Sequence, residues 1–290
     1  MKKKLDVFSI VNTMILIMLA LICVIPLLHI LAVSFSSSTA AATGEVVLWP
    51  KEFSLNSYTF VAKRVQFWRS MGVTIIRVVL GALTNTLLTI LCAYPLSKDK
   101  SEFRFRTIYA WFFFITMLFN GGLIPWFLVI KQMGLLDSIW ALILPGAVPV
   151  FSVILLLNFF RQVPKSLAEA AGMDGAGHFR TLWQIYVPLS MPAIATIVLF
   201  SLVFHWNSWF DGLILMNNPD NYPLQSYMQT IVVQRTFNQL SREEIMQLST
   251  ISDKTLRSAQ IFLGSMPIVA VYPFLQKFFV KGIVLGGVKE

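Results

Sequence analysis

Charged residues are scarce in this sequence: Asp, Glu, Lys and Arg make up 13% of its 290 residues, against 56% that are hydrophobic. A water-soluble globule needs a polar shell that so little charge cannot supply, and the mean hydropathy of +0.70 excludes one. Cysteine is nearly absent. Cys23 and Cys92 both lie in apolar runs, where a thiol behaves as a small hydrophobe, so neither a disulfide framework nor a cysteine metal site is expected. Neither His29 nor His178 has a second ligand nearby, and no metal site is expected from them. The chain also lacks Gly-x-x-x-x-Gly-Lys-Ser/Thr, the loop whose backbone cradles nucleotide phosphates. Any ATP-driven motor must therefore sit on another chain. No internal repeat and no low-complexity tract is present.

What the sequence does have is long apolar runs. A membrane-spanning helix needs about 20 mostly apolar residues, and six runs qualify, near 7–35, 70–96, 107–130, 139–160, 191–214 and 258–280. The first follows Lys2, Lys3 and Lys4 but is too long for the apolar core of a signal peptide, so it is read as span one. With the N-terminus inside, segments 1–7, 97–106, 161–190 and 277–290 carry 13 Lys and Arg in 61 residues, and the outside segments 35–68, 131–138 and 215–257 carry 8 in 85. Cytoplasmic loops are enriched in Lys and Arg. The net charge of +9 is therefore read as orientation, not as nucleic-acid binding. These features predict an all-α integral membrane protein, a single domain over 1–290 with six transmembrane helices and both termini cytoplasmic.

Several runs are interrupted. Asn120, Gly121, Gly122 and Pro125 fall in the middle of span three, and Pro267 and Pro273 in span six. Backbone groups freed by such breaks must face protein or water. They mark either a substrate-lining kink or close helix packing through small residues. Span five ends in Phe204, His205, Trp206, Asn207, Trp209, Phe210 and Asp211. Aromatic faces beside hydrogen-bonding groups suit a sugar path, while an aromatic belt at the outer interface gives the same composition. The path residues are thus Asn120, Trp126, His205, Trp206, Asn207, Trp209 and Asp211. Arg69 is expected to snorkel to headgroups; Arg77 either snorkels or faces the cavity. Ser201 and His205, four apart on one helix face, admit an intramembrane hydrolase, although nothing supplies a nucleophile turn or an oxyanion site. The outside segment opens with turn chemistry at Asn217 to Pro223, and Ser241 with Glu244 has capping-box spacing, which predicts a short external helix or an ordinary loop.

The most informative stretch is the inside loop 161–190. Pro164 suits the first turn of a helix, and Leu167, Ala170, Ala171 and Asp174 recur at i, i+3, i+4 and i+7, giving a narrow face of small residues. Gly175 can take the left-handed conformation that ends a helix. Phe179, Leu182, Trp183 and Tyr186 then form a second apolar stripe, able to lie against the bundle, which Pro188 is expected to stop. The loop reads as two short helices joined by a bend, or as a plain interfacial amphipathic hairpin.

Glu169-Ala170-Ala171, then Gly175 after three residues, then Ile185, Val187 and Pro188 after nine more, resemble the EAA loop of permease subunits of binding-protein-dependent ABC importers, with Val187 where the family usually has Leu. The ending Gly286-Gly287-Val288-Lys289 resembles that of the maltose-type sugar permeases. The segment 217–258, with Ile251 to Gln260, is similar to the complex-carbohydrate and oligosaccharide branch. The resemblance implies the type I ABC importer permease architecture, a bacterial cytoplasmic membrane location and no enzymatic activity in this chain. It further implies a sister permease as heterodimer partner, two cytoplasmic ATPase subunits that hold Mg-ATP, an extracellular or periplasmic solute-binding protein and a carbohydrate substrate. It assigns ATPase coupling to Leu167, Glu169, Ala170, Ala171, Asp174, Gly175, Ile185 and Pro188. The alternatives are a permease for a non-sugar solute and a sensory membrane subunit without transport.

Overall fold

The computed structural model describes residues 7–233 and 252–287. All regular structure among them is helical. The chain divides into two compact units, one of the residues up to Trp68 together with Met228–Pro267, the other of Arg69–Tyr227 with the residues from Ile268 on.

In the first unit α1 spans Val7–Ser34. Its unbroken apolar sequence, without one charged side chain, favours helix wherever water is absent, because every backbone group is then satisfied within the segment. At 1.5 Å per residue its 28 residues reach about 42 Å, beyond the roughly 30 Å of a hydrocarbon core. Only Ala32, Val33 and Ser34 of this helix are buried. Ala32 and Val33 pack with Val46 and with Ala40 and Ala41 of α2 (Ser38–Thr43), which Ser37 caps by accepting from the N–H of Ala40. Phe35 stacks on Phe53 and Tyr58, and α3 (Asn56–Lys63) follows.

The second unit is organised on α4 (Val65–Ser97), a 33-residue helix that enters from the first unit. Its exposed face carries Ile75, Ile76, Val79, Leu83 and Leu87, whereas Thr74, Arg77, Asn85 and Thr89 are buried. Polar inside and aliphatic outside is the distribution that lipid imposes. The inner half of α4 packs with α7 (Val150–Gln162) and α11 (Met191–Asn207) into a core of Ile90, Ala93, Tyr94, Leu156, Phe160 and Ile197, among others.

Among the described residues two helices, α1 and α4, are each long and apolar enough to cross a membrane, and three bent pairs each pass the same test together. The expected third span is one of these pairs. It is divided into α5 (Arg106–Leu118) and α6 (Leu123–Gln132), inclined at 116°. The turn is built by Gly122, at φ +87°, and by the Asn120 side chain, which accepts from the Gly122 N–H at 2.9 Å. The expected fourth span begins as two 3₁₀ turns, Ile139–Leu142 and Leu144–Gly146, set at 51° to α7. The expected fifth ends at Asn207, where Ser208 is extended, and resumes as α12 (Phe210–Leu215). The sixth apolar run lies inside α14, helical over Asp253–Gly287, after α13 (Leu224–Val233). Lys2 to Lys4, the Ser241 and Glu244 pair and the terminal Val288-Lys289 lie outside the described residues.

Candidate functional site: the 164–188 loop and a cleft

The loop 164–188 folds as two short helices. α8 spans Lys165–Met173 and Asp174 caps it. The N–H of Gly175 donates to the Gly172 carbonyl and that of Ala176 to the Ala171 carbonyl, which with Gly175 at φ +76° makes a Schellman closure. A Cβ at Gly175 would meet nothing within 4 Å, so backbone conformation alone selects glycine here. Leu167, Glu169 and Ala170 are exposed and Ala171 is half-buried.

The second helix differs from expectation in two ways. α9 (His178–Thr181) runs into a π-turn, Leu182–Tyr186, and α10 (Val187–Leu189). Pro188 therefore lies within helix and does not stop it. It has no N–H to give, and the wider π-turn just before it absorbs the mismatch, with Val187 N–H donating to Leu182. The chain turns only after Leu189, where α11 leaves at 84°. The expected apolar stripe is also split: Leu182 and Tyr186 are buried in the core, whereas Phe179 is 72% and Trp183 44% exposed. Ile185 is half-buried against that core.

Residues 96–99, at the end of α4, hold this loop from behind. Arg161 donates to the Leu96 carbonyl and Arg106 to the Lys98 carbonyl, cations at the negative end of a helix. Lys165, at the start of α8, pairs with Asp99. The Lys165 hydrogen bond and charge hold the Asp99 carboxyl below its ordinary pKa, and Asp99 in turn raises that of Lys165. Sequence reasoning missed Tyr94 and Lys98, although an aromatic one helical turn before a Lys at the end of an apolar run was a readable signal.

Five of the seven path residues meet at one cleft. Asn120, Trp126, Asn207, Trp209 and Asp211 line a cavity of about 750 Å³, with Gly122 and Phe204 among its other walls. The breaks at Gly122 and Ser208 create it, because each ends a helix where the cleft opens. Ser226 donates to the Trp209 carbonyl at 2.7 Å and fixes the second break. Arg77 is fully buried, not snorkelling; its guanidinium grips both Asp211 oxygens and also donates to the Ser208 carbonyl at 3.4 Å. Arg69, expected to snorkel, is exposed and pairs with Asp220 at 2.7 Å.

His205 and Trp206, the other two expected path residues, are buried and stand outside the cleft lining. His205 packs over Gly81, where a Cβ would come within 2.4 Å of the imidazole, and its Nε2 lies 3.3 Å from Asn85 Nδ2. The Ser201 hydroxyl has no hydrogen-bond partner among the described residues, so no Ser201 and His205 nucleophile pair forms. No cluster of His, Cys, Asp or Glu able to hold a metal occurs among the described residues.

Asp137, at φ +63°, accepts from the N–H groups of Asn217 and Asn218 and from the Asn221 side chain. The Asn218 N–H above all holds its carboxyl below the ordinary carboxylate value.

Residues 101–285 match the family described as the inner membrane component of binding-protein-dependent transport systems. The chain is 39% identical over 274 residues to the polygalacturonan/rhamnogalacturonan transport system permease protein YtcP of Bacillus subtilis (strain 168), covering 94% of this chain and 95% of that one. It is 38% identical to protein LplC of the same organism, covering 98% and 95%. Among solved structures, a chain of a bacterial ABC transporter involved in the import of the acidic polysaccharide alginate superposes with a TM-score of 0.87 at 33% identity, over 96% of this chain and 99% of that one.

Proposed function

The chain belongs to the family of inner membrane components of binding-protein-dependent transport systems, and from that premise we propose that it is one of two different permease subunits of an ATP-driven oligosaccharide importer. Support for the substrate class comes from relatives named for polysaccharide-derived cargo and from the chemistry of the cleft. Trp126 and Trp209 offer aromatic faces to the C–H face of a sugar ring, and Asn120, Asn207 and Asp211 offer hydrogen-bonding groups for its hydroxyls. About 750 Å³ lies within the range of small-molecule sites.

The observation that carries the coupling role is the exposed apolar surface of the loop, Leu167, Phe179 and Trp183, on two short helices closed at Gly175. Exposed apolar side chains at the end of a bundle mark a protein interface. In this reading Leu167, Glu169, Ala170, Ala171, Asp174 and Gly175 form the face that enters an ATPase cleft. Ile185 and Pro188 seat the loop on the bundle. Two ATPase subunits carrying Mg-ATP, a sister permease and an external solute-binding protein complete the assembly. Six spans, with both termini on the ATPase side of the bacterial cytoplasmic membrane, follow from the apolar runs and the Lys and Arg bias.

Copurification from native membranes with an ATPase and a second permease, followed by ATP hydrolysis stimulated by a loaded binding protein, tests the reading. A fully active complex with no second permease would overturn it. Loss of amino acid uptake, with oligosaccharide uptake intact in a strain lacking the gene, would move the substrate class.

A further inference from the structure

The end of α4 is tied to the docking loop by a small aromatic box. Lys98 Nζ lies 4.9 Å from the centre of the Tyr94 ring and 5.0 Å from that of Tyr186, and it donates to the Tyr186 hydroxyl at 3.4 Å. Tyr94 and Tyr186 meet edge to face at 5.1 Å, and the Tyr94 hydroxyl stands 3.4 Å from His178 Nδ1. Both tyrosines are buried and the Lys98 side chain is 11% exposed, with Glu102 at 3.3 Å as its counter-charge. A cation enclosed by two ring faces is held more strongly than one in water. Tyr94 belongs to α4, while His178 and Tyr186 bracket the second helix of the loop.

Resting on the proposed coupling role of the loop, we propose that Lys98 is a positioning residue for transport: its ammonium clamps the loop to α4, so that movement of the loop is delivered to the helix carrying Arg77. α4 is one continuous helix from this box past Arg77, and Arg77 holds Asp211 at the cleft. Displacement of a rigid helix at one end is felt at the other. Asp99 with Lys165 adds a second tie, but both side chains are exposed and such pairs contribute little. Lys98 is the buried member.

The test uses the complete importer in nanodiscs, with loaded binding protein added, and compares Lys98→Met, Lys98→Arg and Tyr94→Phe. Lys98→Met keeps most of the apolar stem and removes the cation. It should assemble with its ATPase and keep basal hydrolysis, while binding-protein-stimulated hydrolysis and uptake fall by about fivefold or more, the scale of one desolvated cation–π contact. Lys98→Arg restores a cation on the rings and should recover most of the stimulation. Tyr94→Phe, which removes one hydroxyl only, should give a smaller loss in the same direction. Full stimulation in Lys98→Met would overturn the proposal. So would equal loss of assembly in Lys98→Met and Lys98→Arg, which would make the box a folding element only. Failure of the underlying reading is separate: the unmodified chain would then show no binding-protein stimulation at all.

Discussion

The guanidinium of Arg77 and the carboxylate of Asp211 are joined through both oxygens, with Arg77 fully buried and the Asp211 side chain 21% exposed at the cleft. The break at Ser208 thereby becomes a fixed geometry, because Arg77 also satisfies the Ser208 carbonyl that the end of α11 leaves unpaired. Truncating one partner of a buried pair leaves the other charge uncompensated. Arg77→Gln is expected to destabilise the subunit by about 3 kcal/mol and to lower uptake. Arg77→Gln with Asp211→Asn should recover part of the stability, since neither charge then remains. Thermal unfolding in nanodiscs, compared across the two single variants and the double, reads this directly. Equal melting of Arg77→Gln and the parent would contradict it.

A second relationship joins α4 to α11. Gly81 allows α4 to approach His205, and a Cβ there would come 2.4 to 2.7 Å from three ring atoms of the imidazole. Overpacking of this kind typically costs about 1–3 kcal/mol. Gly81→Ala should lower the melting temperature in a wild-type background and do so less in His205→Ala, whose ring no longer collides. A double-mutant cycle with no coupling between the two would show that the helices simply move apart.

Why His205 lies in the core while Asn207, Trp209 and Asp211 line the cleft is a matter of periodicity. α11 is apolar nearly all round, so nothing in Met191 to Phe204 indicates which face is inward. Beyond Ser208 the chain leaves the helix, and helical spacing no longer applies. Gly121, Gly122 and Pro125 were legible because they act locally. The Arg77 and Asp211 pair was not, since 134 residues separate its members. In the docking loop the left-handed glycine could be read from the motif, but the π-turn could not. It is the consequence of Pro188 following a helix already anchored by Leu182 and Tyr186, and it turns Phe179 and Trp183 outward.

Asp137 supplies a pH test at the 217–222 segment. Its pKa is depressed in the folded chain, chiefly by the Asn218 N–H. A depressed carboxylate contributes stability that is fully present above its unfolded pKa, about 3.9, and is lost as pH falls through the lower folded value. Protection of residues 217–222 from proteolysis should therefore persist at neutral and mildly acidic pH and disappear only below the ordinary carboxylate range. Asp137→Ala should be unprotected at every pH. A loss of protection centred near pH 6 would assign the knot to some other group.

The loop itself gives the most discriminating prediction, because at Gly175 conformation and contact separate cleanly. A Cβ at this position meets no atom of this chain within 4 Å, so within the subunit the effect of Gly175→Ala comes from the left-handed backbone at φ +76°. That strain is about 1 kcal/mol, too small to unfold a membrane subunit but enough to shift how α8 is closed. Gly175→Val adds β-branching and should have the larger effect, since branched side chains tolerate positive φ least. Glu169→Lys reverses an exposed charge without touching the core. All three variants should insert and fold, with unchanged melting temperature for Glu169→Lys and a small decrease for the Gly175 pair. Gly175→Val and Glu169→Lys should nonetheless lose stimulated ATP hydrolysis, or release the ATPase on purification, while the loaded binding protein still docks on the outside. Gly175→Ala should lie between these and the parent. If Gly175→Val and Glu169→Lys both assemble and retain full stimulated hydrolysis and uptake, the loop does not couple the ATPase to the cleft.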